Sequence, residues 1–163
     1  MRTSRDVIEK QVLLRAPIAR VWAAVGDAEQ FGRWFGARFD EPFVAGARLI
    51  ATLVPTEVDA EIASYQEAYR GRTFPITIQR VEPPHHLSFR WHPGELPDGA
   101  DVSSEPTTLV EFDLEEVPEG TMLTIRESGF DSVPLERRAK AFSDNEEGWD
   151  AQASLIAKYL ERA

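Results

Sequence analysis

The sequence predicts an α+β fold in which an antiparallel sheet of some five or six strands is covered on one face by a long C-terminal helix. Three observations carry that prediction. The middle of the chain alternates apolar and polar residues, as in "HLSFRWH" and "TTLVEFDLEEV", which is the pattern of strands with one wet face. Near the start, "PIARVWAAVG" and "AEQFGRWFG" switch to helical spacing. The closing segment "EEGWDAQASLIAKYLERA" places Trp149, Ala153, Ile156 and Leu160 at i, i+4, i+7 and i+11, a single apolar stripe that needs a partner surface.

Taken in order, "RDVIEKQVLLRA" reads as a first strand from about Asp6 to Leu14. Pro17 stands where the first position of a helix tolerates proline. Ile18, Val21, Trp22 and Val25 then form one apolar face, and Gly26 ends the helix. Asp27 with Gln30 has capping-box spacing and opens a second short helix. Phe31, Trp34 and Phe35 form its apolar side, and Gly36 stops it. Two short helices, each presenting a tryptophan, read as a wedge against one end of the sheet.

"GARLIATL" (46–53) reads as a strand, whereas "PTEVDAEIASYQEAYRG" (55–71) fits either a long loop or one irregular strand. "RTFPITIQRVE" and "HLSFRWH" are strands parted by the turn signal Pro83-Pro84. "PGELPDGADVSSEP" is a polar hairpin loop rich in Pro and Gly. "TTLVEFDLEEV" and "GTMLTIRES" form a hairpin closed by "PEG", and "GFDSVP" leads into a helix from Leu135 to Arg162. No linker or repeat interrupts the chain, so residues 1–163 are expected to form one domain.

Alternation assigns the faces. Leu87, Phe89 and Trp91 share a side with Val110, Phe112 and Leu114, and with Leu123, Ile125 and Glu127 on the last strand. That side is expected to lie under the final helix, with Trp149 pointing at it. Gly148 costs the helix about 1 kcal/mol relative to alanine, and relief of crowding against the strands is the expected compensation.

Composition excludes several functions. The net charge is −10, and Arg15, Arg20, Arg33, Arg38 and Arg48 are scattered singly, so no basic surface for nucleic acid is expected. The absence of cysteine removes disulfides, thiol nucleophiles and Cys-based metal sites. "MRTSRDVIEKQVLL" lacks the apolar core of a signal peptide, and no stretch has the length of a membrane span. A cytoplasmic protein without membrane insertion is the expectation.

Candidate chemistry is sparse. Glu127 falls on the apolar side beside Ile125, near a strand end, and is either a polar anchor or acid/base group in a cavity, or a strand-end residue bonded to backbone or turned to solvent. His86 and His92 share the outer, polar side with no third ligand at recognisable spacing, and "PPHH" is more simply a turn, so no metal is expected. Ser128, Ser143 and Ser154 lack a nucleophile elbow. No catalytic constellation and no cofactor motif is visible. Four Trp and nine Phe are more aromatic bulk than a minimal core requires. Trp22, Trp34, Phe74, Phe89, Trp91, Phe112, Phe142 and Trp149 either line a cavity or fill a solid core.

A resemblance bears on that choice. "API" before "VW", then "WFG", "VEPPHHLSFRW", "ESGF" and "EGWDAQASLIAKYL" occur in this order over roughly Val7 to Leu160. As an ordered set they resemble the START-like (SRPBCC, Bet v-like) superfamily and, within it, the activator of Hsp90 ATPase homologue family. The segment at 55–71 departs from that pattern, being longer and less glycine-rich. The resemblance implies a helix-grip fold, a curved antiparallel sheet of about six or seven strands around the C-terminal helix, with a hydrophobic cavity between them. It implies a stress-response or lipid-binding context and a small apolar or aromatic ligand. The cavity residues would be Trp34, Phe74, Phe89, Trp91, Phe112, Ile125, Phe142, Trp149, Ala153 and Ile156, with Glu127 orienting the ligand's polar group. The second reading it implies is a protein-interaction module whose partner is a chaperone, a property of multidomain relatives. A cyclase- or aromatase-type enzyme is the third reading, and a homodimer stays open.

Overall fold

The computed structural model describes residues 6–94 and 101–162; the tip of the Pro93–Pro106 loop, including "PDG", lies outside the described residues. Seven strands form one antiparallel sheet: β1 (Val7–Leu14), β2 (Ala37–Phe39), β3 (Arg48–Leu53), β4 (Thr73–Glu82), β5 (His86–Trp91), β6 (Thr108–Val117) and β7 (Gly120–Ser128), in the order β1-β7-β6-β5-β4-β3-β2. Helices α1 (Ile18–Gly26) and α2 (Ala28–Phe35) connect one edge strand, β1, to the other, β2. Helix α4 (Leu135–Glu161) follows the last strand and packs on β1, α1 and α2. This is the α+β helix-grip architecture the sequence pointed to.

The registers explain the faces. Leu87 pairs with Phe112 and Phe112 with Ile125, so one apolar row crosses three strands. Leu87, Phe89, Phe112, Leu123 and Ile125 are all buried. Trp149, Leu155 and Ile156 on α4 are buried over the apolar face, with Ala153 and Leu160 partly buried at its margins. At about 25 cal/mol per Å² of apolar surface removed from water, such a face is a dominant stabilising term.

The short helices are built as their sequences suggest, with one difference. The Asp27 side chain caps α2 by accepting from the Glu29 N–H. Gln30 does not complete a capping box toward Asp27; its Oε1 instead accepts from the Tyr159 hydroxyl at 3.0 Å, which ties α2 to the end of α4. Gly36 ends α2 in the left-handed region at φ 99°, and an added Cβ would also meet the Gln66 amide at 2.7 Å. The left-handed backbone is what calls for glycine there.

Two expectations are corrected. Residues 55–71 are neither a long loop nor an irregular strand: they contain helix α3 (Ala60–Gln66), extended by a 3₁₀ turn at Glu67–Tyr69. None of α3 is buried, so its helical pattern is not an apolar stripe, and its start is set by Asp59, whose side chain accepts from the Ile62 N–H. Nor does Gly148 relieve crowding. It is exposed, and an added Cβ would have no neighbouring atom within 4 Å.

Candidate functional site

The site is built where β5, β6 and β7 end under the first half of α4. Glu127, near the end of β7, is fully buried. Its Oε1 accepts from the Trp149 indole N–H at 2.8 Å and its Oε2 from the Trp91 indole N–H at 2.8 Å. Thr108, fully buried at the start of β6, donates its hydroxyl to Oε2 at 2.5 Å. The Asn145 side-chain NH2 lies 3.0 Å from both oxygens. Four donor groups thus surround one carboxyl group, and none of them is a cation. A buried carboxyl needs such partners, because an unsatisfied one is expensive in a low-dielectric interior.

The two indoles that share Glu127 also stack, with centroids 5.6 Å apart and planes 27° from parallel. One wall residue from the sheet and one from α4 are thereby locked to the same carboxyl group. Phe35 at the end of α2 closes the set, 6.1 Å from the Trp91 ring and 6.3 Å from the Trp149 ring. Its backbone carbonyl accepts from Gln152 of α4 at 3.1 Å and from Gln66 of α3 at 3.2 Å. Gln66 Oε1 in turn accepts from the Thr56 N–H at 2.7 Å. Helix α3 is held at its other end by Asp59, which pairs with Lys158 of α4. The Lys158 ammonium, followed by the Ile62 N–H, holds the Asp59 carboxyl below the usual aspartate value.

Beside this cluster the molecule is open. A cleft of about 660 Å³ runs between the first half of α4 and strands β3 to β5. Phe35, Leu53, Phe74, Trp91 and Tyr69 make its apolar wall, and Lys140, Asp144, Asn145 and Gln152 its helical wall. A smaller pocket of about 100 Å³ shares Phe35, Trp91, Asp144, Asn145 and Gln152 with the cleft and reaches Gly148 and Trp149. A further groove of about 630 Å³ beneath α2, from Asp27 to Glu57, is lined in half by charged residues.

Of the residues read from the sequence, Phe74, Trp91 and Trp149 lie on these walls, and Glu127 stands directly behind Trp91 and Trp149. Trp34, Phe89, Phe112, Ile125 and Ile156 are buried in the core beneath. Trp34 donates its indole N–H to the Ala24 carbonyl at 2.9 Å. Phe142 packs on Phe130 with centroids 5.1 Å apart, and neither it nor Ala153 lines the cleft. The structure adds Phe35, Asn145, Gln152 and Thr108 to the residues read from the sequence. Asn145 and Gln152 stand four before and three after Trp149, the spacing at which helix side chains neighbour one another, so a search for polar residues flanking the stripe finds them.

On the opposite face, cross-strand pairing brings together what linear spacing does not show. His86 Nδ1 lies 2.6 Å from Asp113 Oδ1, and one ligating atom each from His86, Glu111 and Asp113 fall within 4.8 Å of one another. Among the described residues this is the group with the geometry to hold a metal ion, and none of it touches the cleft.

Fold and site define a helix-grip protein with an aromatic cleft under its C-terminal helix. The chain belongs to the Activator of Hsp90 ATPase homolog 1-like family, whose model matches residues 15–161. The protein MLL2253 from Mesorhizobium loti superposes with a TM-score of 0.70 at 18% identity, covering 96% of this chain and 98% of that one. The BPP1335 protein from Bordetella parapertussis gives 0.66 at 27% identity, covering 100% and 79%. DynU16, a putative protein of the dynemicin biosynthetic locus, gives 0.67 at 26% identity, covering 96% of this chain and 48% of that one. No curated protein matches the sequence significantly. Among the described residues no helix is long and apolar enough to cross a membrane.

Proposed function

We propose that this chain binds a small, mostly apolar or aromatic molecule in the cleft between α4 and strands β3 to β5. The observation that carries the reading is the Glu127 network, which fixes two stacked indoles at the inner end of an aromatic-walled opening. Preorganised walls reduce what a ligand must order on binding. The cleft also has the size range and mixed lining of small-molecule sites. Glu127 acts as the brace of those walls. Its oxygens already have four donors, so ligand contact falls to Phe35, Phe74, Trp91 and Trp149, with Phe89, Phe112, Ile125 and Ile156 supporting them from the core.

The test is a thermal-shift and calorimetric screen of the whole protein against fatty acids, flavonoids, polyketides and simple aromatics, run in parallel on Gly148→Leu. That substitution sits in open space on an exposed helix position and favours the helix intrinsically, so the fold is retained while the inner pocket is obstructed. Binding by the parent and at least tenfold weaker binding by the variant is the expected result. No stabilisation by any compound, or binding indifferent to Gly148→Leu, refutes the reading. Stimulation of the cognate chaperone's ATPase without ligand binding would favour a protein-interaction role instead.

A further inference from the structure

We infer that the inner end of the cleft selects ligands that enter with a hydrogen-bond donor foremost, a phenolic hydroxyl or an amino group on an aromatic ring, and disfavours a carboxylate there. The inference rests on the cleft being the binding site and adds the chemical class of the ligand's head.

Among the described residues around the inner pocket there is no lysine, arginine or histidine. Both indole N–H groups are committed to Glu127. Asn145 turns its NH2 to the same carboxyl, and Gln152 turns its NH2 to the Phe35 carbonyl. Flipping either amide would set oxygen against oxygen, so both orientations are fixed by their partners. What the two side chains have left is their carbonyl oxygens. Gln152 Oε1 is buried without any hydrogen-bond partner, a state whose desolvation penalty a ligand donor relieves on reaching it. The third polar side chain at the pocket is the Asp144 carboxylate.

The unpartnered Gln152 oxygen favours a donor, and no cation among the described residues around the inner pocket is there to receive an anion, the Asp144 carboxylate itself pairing with Lys140 at 2.7 Å. Cations stand further out: Arg72 and Lys140 line the larger cleft but not the inner pocket. The sheet-side wall of Phe35 and Trp91 offers faces on which a flat ring stacks.

The test is calorimetric titration of the full chain with 2-naphthol, 2-methoxynaphthalene and 2-naphthoate, which share one ring system and differ in the head group. 2-Naphthol is expected to bind about threefold to tenfold more tightly than 2-methoxynaphthalene, the equivalent of one neutral hydrogen bond, with 2-naphthoate weakest. Gln152→Leu is expected to bring the ratio of naphthol to methoxynaphthalene affinity close to one, whatever it does to the two affinities separately. Equal binding of 2-naphthol and 2-methoxynaphthalene, or tighter binding of 2-naphthoate, overturns the inference and leaves the cleft reading standing. Failure of all three ligands to bind overturns both. The parent series alone decides the matter should Gln152→Leu not fold.

Discussion

Phe31 and Phe74 are both aromatic residues of the same concave side, yet their surroundings differ sharply. Phe31 is buried and meets the rings of Trp34, Phe35, Phe39, Phe43, Phe89 and Phe112 within 6.4 Å. Phe74 is only partly buried, and its ring meets Trp91 at 6.2 Å. One end of the molecule is thus a close-packed aromatic core and the other an open cleft. The difference does not come from the aromatic residues, which both ends have. It comes from what faces them. Helices α1 and α2 seat apolar side chains over the first region, whereas α4 presents Asp144, Asn145, Gly148 and Gln152 to the second. Polar side chains with hydrogen bonds of their own, and a glycine without a side chain, leave space that close packing would otherwise fill.

The largest effect should come from the brace between the two ends. Glu127→Leu orphans two indole N–H groups, a hydroxyl and an amide, at about 1–3 kcal/mol for each buried donor left unsatisfied. Chemical denaturation should therefore show a loss of about 4 kcal/mol or more, allowing for relaxation. A loss below about 1 kcal/mol would mean that the network is ornamental to stability. Next comes the comparison itself. Phe31→Ala should destabilise by about 3–5 kcal/mol through an unfilled core cavity. Phe74→Ala, at a half-exposed wall, should lose about 1 kcal/mol or less and act mainly on ligand affinity. Similar losses at both positions would remove the distinction between a closed and an open end.

The smallest effect concerns the tie between α3 and α4. The Asp59 carboxyl, bonded first by Lys158 and then by the Ile62 N–H, has its pKa lowered on folding. The unfolded chain therefore binds the proton more readily. The stability this group contributes is present above the unfolded aspartate pKa and fades as pH falls through the lower, folded value. Carbon-detected NMR titration should show Asp59 ionising below a free aspartate, and Asp59→Asn should flatten the acid side of the stability profile for α3. An Asp59 that titrates as a free side chain would remove the link between α3 and α4.

Much of the fold could be read from the chain. Period-two alternation from Thr73 to Ser128 marked β4 to β7, and the Trp149–Ile156 stripe marked the covering helix and the surface it covers. Helix α3 could not be read, because its existence depends on Asp59 and Gln66 finding partners on α4 and at the end of α2, contacts with no local period. Glu127 stood out as a carboxyl on an apolar face. Its partners Thr108, Asn145 and Trp91 come from three separate elements, and nothing in linear spacing brings them together.

The sequence by itself determined the sheet, its greasy face and the helix laid over it, since each depends on local periodicity and on burying apolar surface. Tertiary structure alone decided which aromatic residues are packed solid and which border open space. That depends on the side chains that meet across elements distant in the chain. It also decided that Glu127 faces inward to its donors, because a buried carboxyl is stable only where the fold has assembled enough hydrogen bonds to replace water.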